Sequence, residues 1–234
     1  MKAFVKTHVG LVREQNEDTV LADAARGIFI LADGMGGHKA GEVASDMAAR
    51  AVQGVLEEGE FSPVRLRAAI SAANRAVYER QLDDEALSGM GTTLTVLWVR
   101  GERALLGHVG DSRAYLWQAG TLRQLSEDHS VVGEMVLAGA ITEAQARSHP
   151  YRNVITRAVG TERSVRADVE EYPLTKGSSW LLCSDGLTDM VTDGEISRVL
   201  GALSGEEAAQ RMIDCALANG GRDNVSLILL EVEA

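Results

Sequence analysis

Residues 28–44 read IFILADGMGGHKAGEVA. The first four, Ile28 to Leu31, are apolar without a break and read as a buried strand. The run ends on an acid, Asp33, and three of the next four residues are glycine: Gly34, Gly36 and Gly37. Small and apolar residues then return at helical spacing, which predicts a helix over 41–57. A buried strand ending on an acid, with glycines where side chains would crowd it, is the feature from which the rest of the chain is read.

Outward from this stretch, residues 3–11 and 27–32 read as strands. Pro63 suits the first turn of a second helix, whose apolar face carries Leu66, Ala69, Ile70, Ala73 and Val77. The period then changes. GTTLTVLWVR (91–100), RALLGHVG (103–110) and SRAYLWQAGTLRQL (112–125) read as three or four consecutive strands, with Ala119-Gly120 as a tight hairpin turn. Residues 128–147 read as helical pieces, 165–171 and 178–184 as strands, and 193–200 and 205–219 as helices. NVSLILLEVE (224–233) reads as a last strand. Trp98, Trp117 and Trp180 fall within strands and read as core. Short turns between successive strands imply antiparallel pairing. Helix pairs between and after the strand runs imply helices layered on stacked sheets, an α+β fold. No linker or repeat interrupts the pattern, so a single domain over 1–234 is expected.

The totals narrow the function. The chain has 234 residues, 45% hydrophobic and 24% charged, which suits a soluble globular protein with a sizeable core. A net charge of −11 argues against nucleic acid or an anionic membrane as partner. No apolar run approaches the roughly 20 residues of a membrane span, and MKAFVKTHVG lacks the apolar centre of a signal peptide. Cys183 and Cys215 sit in apolar contexts and read as free thiols in a reducing compartment, so a cytoplasmic location is expected.

Acids recur where strands meet turns. Glu17 and Asp18 lie in REQNED, Asp33 in LADG, Asp111 in GHVGDSR, Asp185 in WLLCSDG and Asp223 in GRDNVS. A single Asp-Gly after a strand is an ordinary turn. Five such places are different, because Asn, Ser or Gly would serve the turns equally well. Carboxylates gathered at strand ends repel one another and need cations to offset repulsion and desolvation. With no His or Cys in the set, the hard oxygens suit Mg²⁺ or Mn²⁺ rather than zinc. Two such ions about 3.5–4 Å apart, with a bridging carboxylate and hydroxide, form the clamp of phosphoryl hydrolysis. Glycine at 34 would leave its carbonyl free to approach an ion. Arg13, four residues before Glu17, offers a planar fork for phosphate oxygens.

REQNED, LADGMGGH, GMGTTLT, GHVGDSRAYL, LLCSDGL and GRDNVS occur in this order. Together they resemble the metal-dependent Ser/Thr protein phosphatases of the PP2C (PPM) family in their compact bacterial form, over about residues 4–232. The resemblance implies a four-layer α-β-β-α sandwich, two packed antiparallel sheets flanked by helix pairs. It implies two Mn²⁺ or Mg²⁺ ions, with Asp33 bridging, the Gly34 carbonyl on one ion, and Asp185 and Asp223 completing the other. Glu17, Asp18 and Thr93 match positions that hold metal-bound waters. Asp111 matches an acid of a third, weaker ion site. Arg13 matches the phosphate-binding arginine, and Asn224 would orient Asp223. The implied reaction is in-line attack of the bridging hydroxide on phosphoserine or phosphothreonine, without a phosphoenzyme. The implied partners are phosphorylated proteins, substrates of a Ser/Thr kinase, met by a monomeric enzyme with no nucleic acid or membrane involved. Residues 129–153 would form the family's mobile flap.

One position departs from the pattern. Animal members carry a histidine directly after the Asp-Gly, as acid for the leaving oxygen, and here Met35 stands there. His38 lies three residues on and is read either as that acid or as a helix-start histidine with local contacts. A metal-bound water near Asp111 is the other donor. His108 and His129 read as structural. Two rival functions use the same residues. One is a metal-dependent phosphomonoesterase for small molecules. The other is a phosphoprotein-binding module with weak or no catalysis, against which Arg13, Asp33, Asp185 and Asp223 together argue.

Overall fold

The computed structural model describes residues 1–36 and 40–233. Two antiparallel sheets form its centre. One carries, in spatial order, β1 (Lys2–His8), β11 (Val225–Glu231), β10 (Ser179–Cys183), β7 (Arg113–Gln118) and β8 (Thr121–Gln124). The other carries β2 (Asp18–Asp23), β3 (Ile28–Met35), β5 (Leu94–Arg100), β6 (Arg103–Val109) and β9 (Asp168–Pro173), with the short β4 (Gly91–Thr92) paired to the end of β3.

Three layers of side chains hold the sheets and helices together, and they account for the unbroken apolar runs. Alternate residues of a strand point to opposite faces. In β3, Phe29 and Leu31 enter the layer between the sheets, against Trp180, Leu182, Ile228 and Leu230. Ile28, Ile30 and Ala32 face the other way, onto α1 (Ala40–Glu57) and α2 (Pro63–Asp83). In β11, Val225, Leu227 and Leu229 face α7 (Gly205–Ala218) and α6 (Asp193–Ala202). Both faces of both sheets are covered, so their central strands need apolar residues at every position. The architecture is the α-β-β-α sandwich expected from the sequence.

The predicted helix face on α2 is fully buried at Leu66, Ala69, Ile70, Ala73 and Val77. Pro63 opens that helix behind an N-cap Ser62. Ala119 and Gly120 both have positive φ, 50° and 79°, as a two-residue hairpin turn requires. Other expectations need correction. The first strand stops at His8 rather than residue 11, because Gly10 turns the chain at φ 85°. A Cβ there would stand 2.3 Å from the Asp223 carbonyl. DTVLAD, not foreseen as a strand, forms β2. The strand foreseen at 165–171 begins at Asp168. The run 91–100 is split at Thr93, whose groups are turned onto Asp33 instead. Trp98 and Trp180 are core, whereas Trp117 is only partly buried. Cys183 is buried and Cys215 half-buried, both as free thiols.

Residues 128–157 cross one end of the sandwich and carry α3 (Val131–Leu137) and α4 (Glu143–Arg147). This segment is thinly packed: α3 buries only Val132 and α4 buries nothing. Among the described residues, no helix is long and apolar enough to cross a membrane.

Candidate metal centre

The register of the two sheets brings the acids to one end. Asp18 opens β2 and Asp33 lies near the close of β3, and the two are cross-strand partners. Asp185 follows β10 and begins the one-turn helix α5 (Asp185–Thr188), which sequence reading treated as the strand's end. Asp223 lies just before β11. Asp111 sits between β6 and β7, where the chain leaves one sheet for the other.

Asp33 is gripped by its main chain. Its N–H donates to Thr93 Oγ1 at 3.0 Å, and its carbonyl accepts from the Thr93 N–H and Thr92 Oγ1, each at 2.8 Å. Thr93 Oγ1 also bonds Ser112 Oγ at 2.8 Å, which links Asp33 to the turn that carries Asp111. The Gly34 N–H donates to the Glu17 carbonyl at 3.1 Å. Gly34 is required by close approach: a Cβ would lie 2.1 Å from the Gly41 carbonyl oxygen. Met35 pairs with Gly91 across to β4, and its methyl group lies beside that glycine.

The other side of the site hangs on Asn224. Its Oδ1 accepts the Glu17 N–H at 2.8 Å, and its Nδ2 donates to the carbonyls of Val9 (2.9 Å) and Gln15 (2.8 Å). Its own N–H donates to Asp223 Oδ1 at 2.8 Å. Asn224 therefore orients Asp223 through its backbone and the segment from Val9 to Glu17 through its side chain. The sequence-based expectation for Asn224 is only that it orients Asp223; its side-chain grip on the segment from Val9 to Glu17 was not foreseen. Arg13, on that segment, donates from Nη2 to Asp223 Oδ2 at 2.7 Å and is half exposed.

Electrostatics mark these acids. Burial first, and then the charges of Asp18, Asp185, Asp111 and Asp223, push the Asp33 carboxyl well above the ordinary carboxylate range. Asp185 is raised likewise, by burial and then by Asp111 and Asp189. Asp18 is pushed up to about 6 by burial, although Ser184 Oγ donates to its Oδ2 at 2.9 Å. Asp111 is pushed up to about 7, again mainly by burial and then by Asp128. Burial also raises Glu17.

Whether these residues suit divalent cations can be judged from the site itself. Among the described residues, no three His, Cys, Asp or Glu side chains close round one point as a ready-made ion site. The donor chemistry nevertheless fits. The carboxylates feel one another strongly, and all donors are hard oxygens. Asp18 Oδ1 is buried without any hydrogen-bond partner. Such a group is costly unless something pairs with it. Of the other residues singled out from sequence, Arg13, Glu17, Gly34, Thr93 and Asn224 all lie at this end of the sandwich. The Thr93 hydroxyl bonds Asp33 and Ser112, which leaves it one further hydrogen bond. His38 lies outside the described residues, as does Gly37.

A cleft of about 450 Å³ opens beside Asp111 and Asp185, walled by α3 and α4 and lined by Arg113, Arg147, Arg152 and Arg157. Sequence reading did not foresee the fastening of this wall. Asp128 takes a bidentate bond from Arg113, Nε to Oδ1 and Nη2 to Oδ2, and Arg147 donates to the Thr188 carbonyl at the end of α5 (2.9 Å). Their charge is visible in the sequence, but their pairing is not.

A sandwich of this topology with an acid cluster at one end defines a class. A sequence profile described as Protein phosphatase 2C matches residues 8–219, and the chain belongs to that family. The serine/threonine phosphatase Stp of Listeria welshimeri is 39% identical over 241 residues, covering 99% of this chain and 96% of the relative. The serine/threonine protein phosphatase PstP of Mycobacterium tuberculosis is 42% identical over 225 residues, covering 95% of this chain but only 43% of the relative. A crystal structure of the PstP catalytic domain in complex with two manganese ions superposes with a TM-score of 0.91 at 37% identity, covering 100% and 98% of the two chains.

Proposed function

We propose that this chain hydrolyses phosphoserine and phosphothreonine esters in proteins with two divalent cations, Mn²⁺ or Mg²⁺. The observation that carries this reading is the gathering of Asp18, Asp33, Asp111 and Asp185 into one another's field, with Arg13 on Asp223 beside them. Asp33, Asp185, Asp223 and the Gly34 carbonyl would hold the pair of ions. Asp111 would serve a third, weaker one, and Glu17, Asp18 and Thr93 would act through water. The manganese in the PstP structure supports this assignment by similarity.

Such ions supply a nucleophile at neutral pH and neutralise charge on phosphoryl oxygens. The chain's own residues do the rest. Arg13 spends one nitrogen on Asp223, which leaves further N–H donors on a half-exposed guanidinium to grip a phosphate. Asn224 keeps the Arg13–Glu17 segment in place, so that the phosphate is met in a fixed orientation. Thr93 holds the Asp33 main chain from two sides, which would limit where its carboxyl can reach. The thinly packed segment over 129–153 would act as the flap that meets the substrate protein. The net charge of −11 fits a partner that is neither nucleic acid nor an anionic membrane, and we infer a monomeric, cytoplasmic enzyme that opposes a Ser/Thr kinase.

The test uses Asp185→Asn and Asp223→Asn with p-nitrophenyl phosphate and a phosphothreonine peptide, in Mn²⁺ and then in chelator. Both variants should lose Mn²⁺-dependent turnover by at least about 100-fold, as expected when a group at the reacting centre is removed. Turnover near that of the parent in either variant would overturn the assignment.

A further inference from the structure

The turn that carries Asp111 is held by two histidines that the proposed reaction does not use. The Gly110 N–H donates to His129 Nδ1 at 2.9 Å. The Gly110 carbonyl accepts from the His129 N–H at 2.8 Å and lies 2.9 Å from His108 Nε2. The two peptide planes immediately before Asp111 are therefore each held at one edge, one through the Gly110 N–H and the other through the Gly110 carbonyl. The two imidazoles lie side by side with centroids 4.9 Å apart and planes tilted by 36°. His129 is almost wholly buried, 5% exposed.

The network sets the state of His129. Because Nδ1 accepts a backbone N–H, the ring proton must sit on Nε2. Asp168 Oδ2, 2.7 Å away at the start of β9, is the acceptor that fixes this tautomer. Arg157 Nη1 lies 2.8 Å from Nε2, but a donor cannot bond a protonated nitrogen, so its hydrogen bond goes to the same Asp168 carboxylate at 3.2 Å. On the far side of the turn, Gly110 has φ 112° and presses on Thr93, where a Cβ would meet the Thr93 Cβ at 2.6 Å. The Asp111 carboxylate thus has its backbone placed by Thr93 on one side and by His129 on the other.

We propose that His129, with its tautomer fixed by Asp168, is a positioning residue for Asp111, and that it sets the affinity for a third, weaker cation at that carboxylate. The proposal rests on the reading of Asp111 given under Proposed function. His129 acts only through the Gly110 peptides. It neither binds the cation nor touches the phosphoester.

Two substitutions separate its two ring nitrogens. In His129→Asn the amide oxygen can reach the place of Nδ1 and still accept the Gly110 N–H. In His129→Gln the amide reaches the place of Nε2, keeps Asp168 and loses Gly110. Mn²⁺ binding to the intact chain is measured by calorimetry, with thermal midpoints in chelator alongside. His129→Gln should weaken the weaker binding event about tenfold or more, the usual size for losing the support of a metal ligand, while the tight pair is unchanged. His129→Asn should stay within about threefold of the parent, since the supporting bond is kept. If the two variants weaken the event equally and in step with their thermal midpoints, or leave it untouched, the proposal fails. Asp111→Asn serves as the reference. If it binds Mn²⁺ as the parent does, the reading of Asp111 itself is wrong and the proposal falls with it, whatever His129 does.

Discussion

Asp18 and Asp33 are cross-strand partners on β2 and β3, so two carboxylates stand opposite one another on adjacent strands at the edge of the site. Like charges in that position weaken a sheet, and burial adds to the cost by raising both groups. Asp18→Asn keeps the shape and removes one charge. The variant should melt about 2–4 °C higher than the parent in chelator, the shift that roughly 1 kcal/mol produces in a chain of this size. Its Mn²⁺-dependent turnover should fall at least about tenfold, since the loss of a group that supports a metal ligand costs that much. A lower melting point in chelator would mean that the repulsion is already relieved in some other way.

Arg13 carries a different kind of expectation, because its pair with Asp223 is half exposed and adds little to stability. Arg13→Ala should leave the melting point within about 2 °C of the parent, as for most exposed substitutions. It should lower kcat/KM for phosphopeptide by about 10- to 100-fold, the worth of a charge-assisted bond of about 1.5–3 kcal/mol. Arg13→Lys should recover only part of the loss, since an ammonium lacks the fork. Steady-state kinetics with unchanged kcat/KM in Arg13→Ala would remove Arg13 from phosphate binding.

Two glycines, Gly34 near the end of β3 and Gly54 on α1, should respond in opposite ways to alanine. At Gly34 a Cβ would meet backbone oxygens of Gly41 at 2.1 Å and Glu17 at 2.6 Å, and backbone cannot swing aside. Gly34→Ala should cost about 3 kcal/mol or more, the upper range for overpacking, and should abolish turnover. Gly54, on the exposed side of α1, has nothing within 4 Å of a Cβ. Gly54→Ala should stabilise by about 1 kcal/mol through helix propensity alone. Urea unfolding of both variants measures the contrast.

His108 gives the chain a dependence on pH. Burial, and then the neighbouring His129, lower its pKa to about 4. The folded value lies below the unfolded one, so between about pH 6.5 and 4 the unfolded chain binds this proton and the folded chain does not. The neutral ring's contribution is full above pH 6.5 and is lost as pH falls through that window, at roughly 1.4 kcal/mol per unit. Asp18 and Asp111 act in the opposite sense, because raised carboxyls favour the folded state at low pH. A difference measurement isolates the histidine. His108→Gln should be less stable than the parent at pH 7, and the gap should narrow towards pH 5. A constant gap in urea titrations at the two values would contradict the buried neutral ring.

Much of this was legible from residues 28–44 and the other acid-bearing turns, because an acid where Asn or Gly would serve is a departure that sequence displays. The hairpin at Ala119-Gly120 and the buried face of α2 were readable for the same reason: each is set by neighbours in the chain. What could not be read depends on distant partners. DTVLAD is short and begins on an acid, and it is a strand because β3 lies beside it. Thr93 sits inside an alternating apolar run, yet its groups turn onto Asp33 across 60 residues. Consecutive strands β6 and β7 look like a hairpin in sequence, but they belong to different sheets, and the change of sheet puts Asp111 at the site. The three side-chain bonds of Asn224 join places more than 200 residues apart.

That last feature bears on how the protein is made. Strand β1 pairs with β11, whose residues lie more than 200 positions further along the chain, and Arg13 meets Asp223 across 210 residues. A nascent chain holds Arg13, Glu17 and Asp33 long before it holds Asp223 and Asn224, which fix the first two. Translation must pass Asp223, Asn224 and β11 before the site can close, so a product that stops short of them would carry most of the acids without the ability to strip phosphate from proteins.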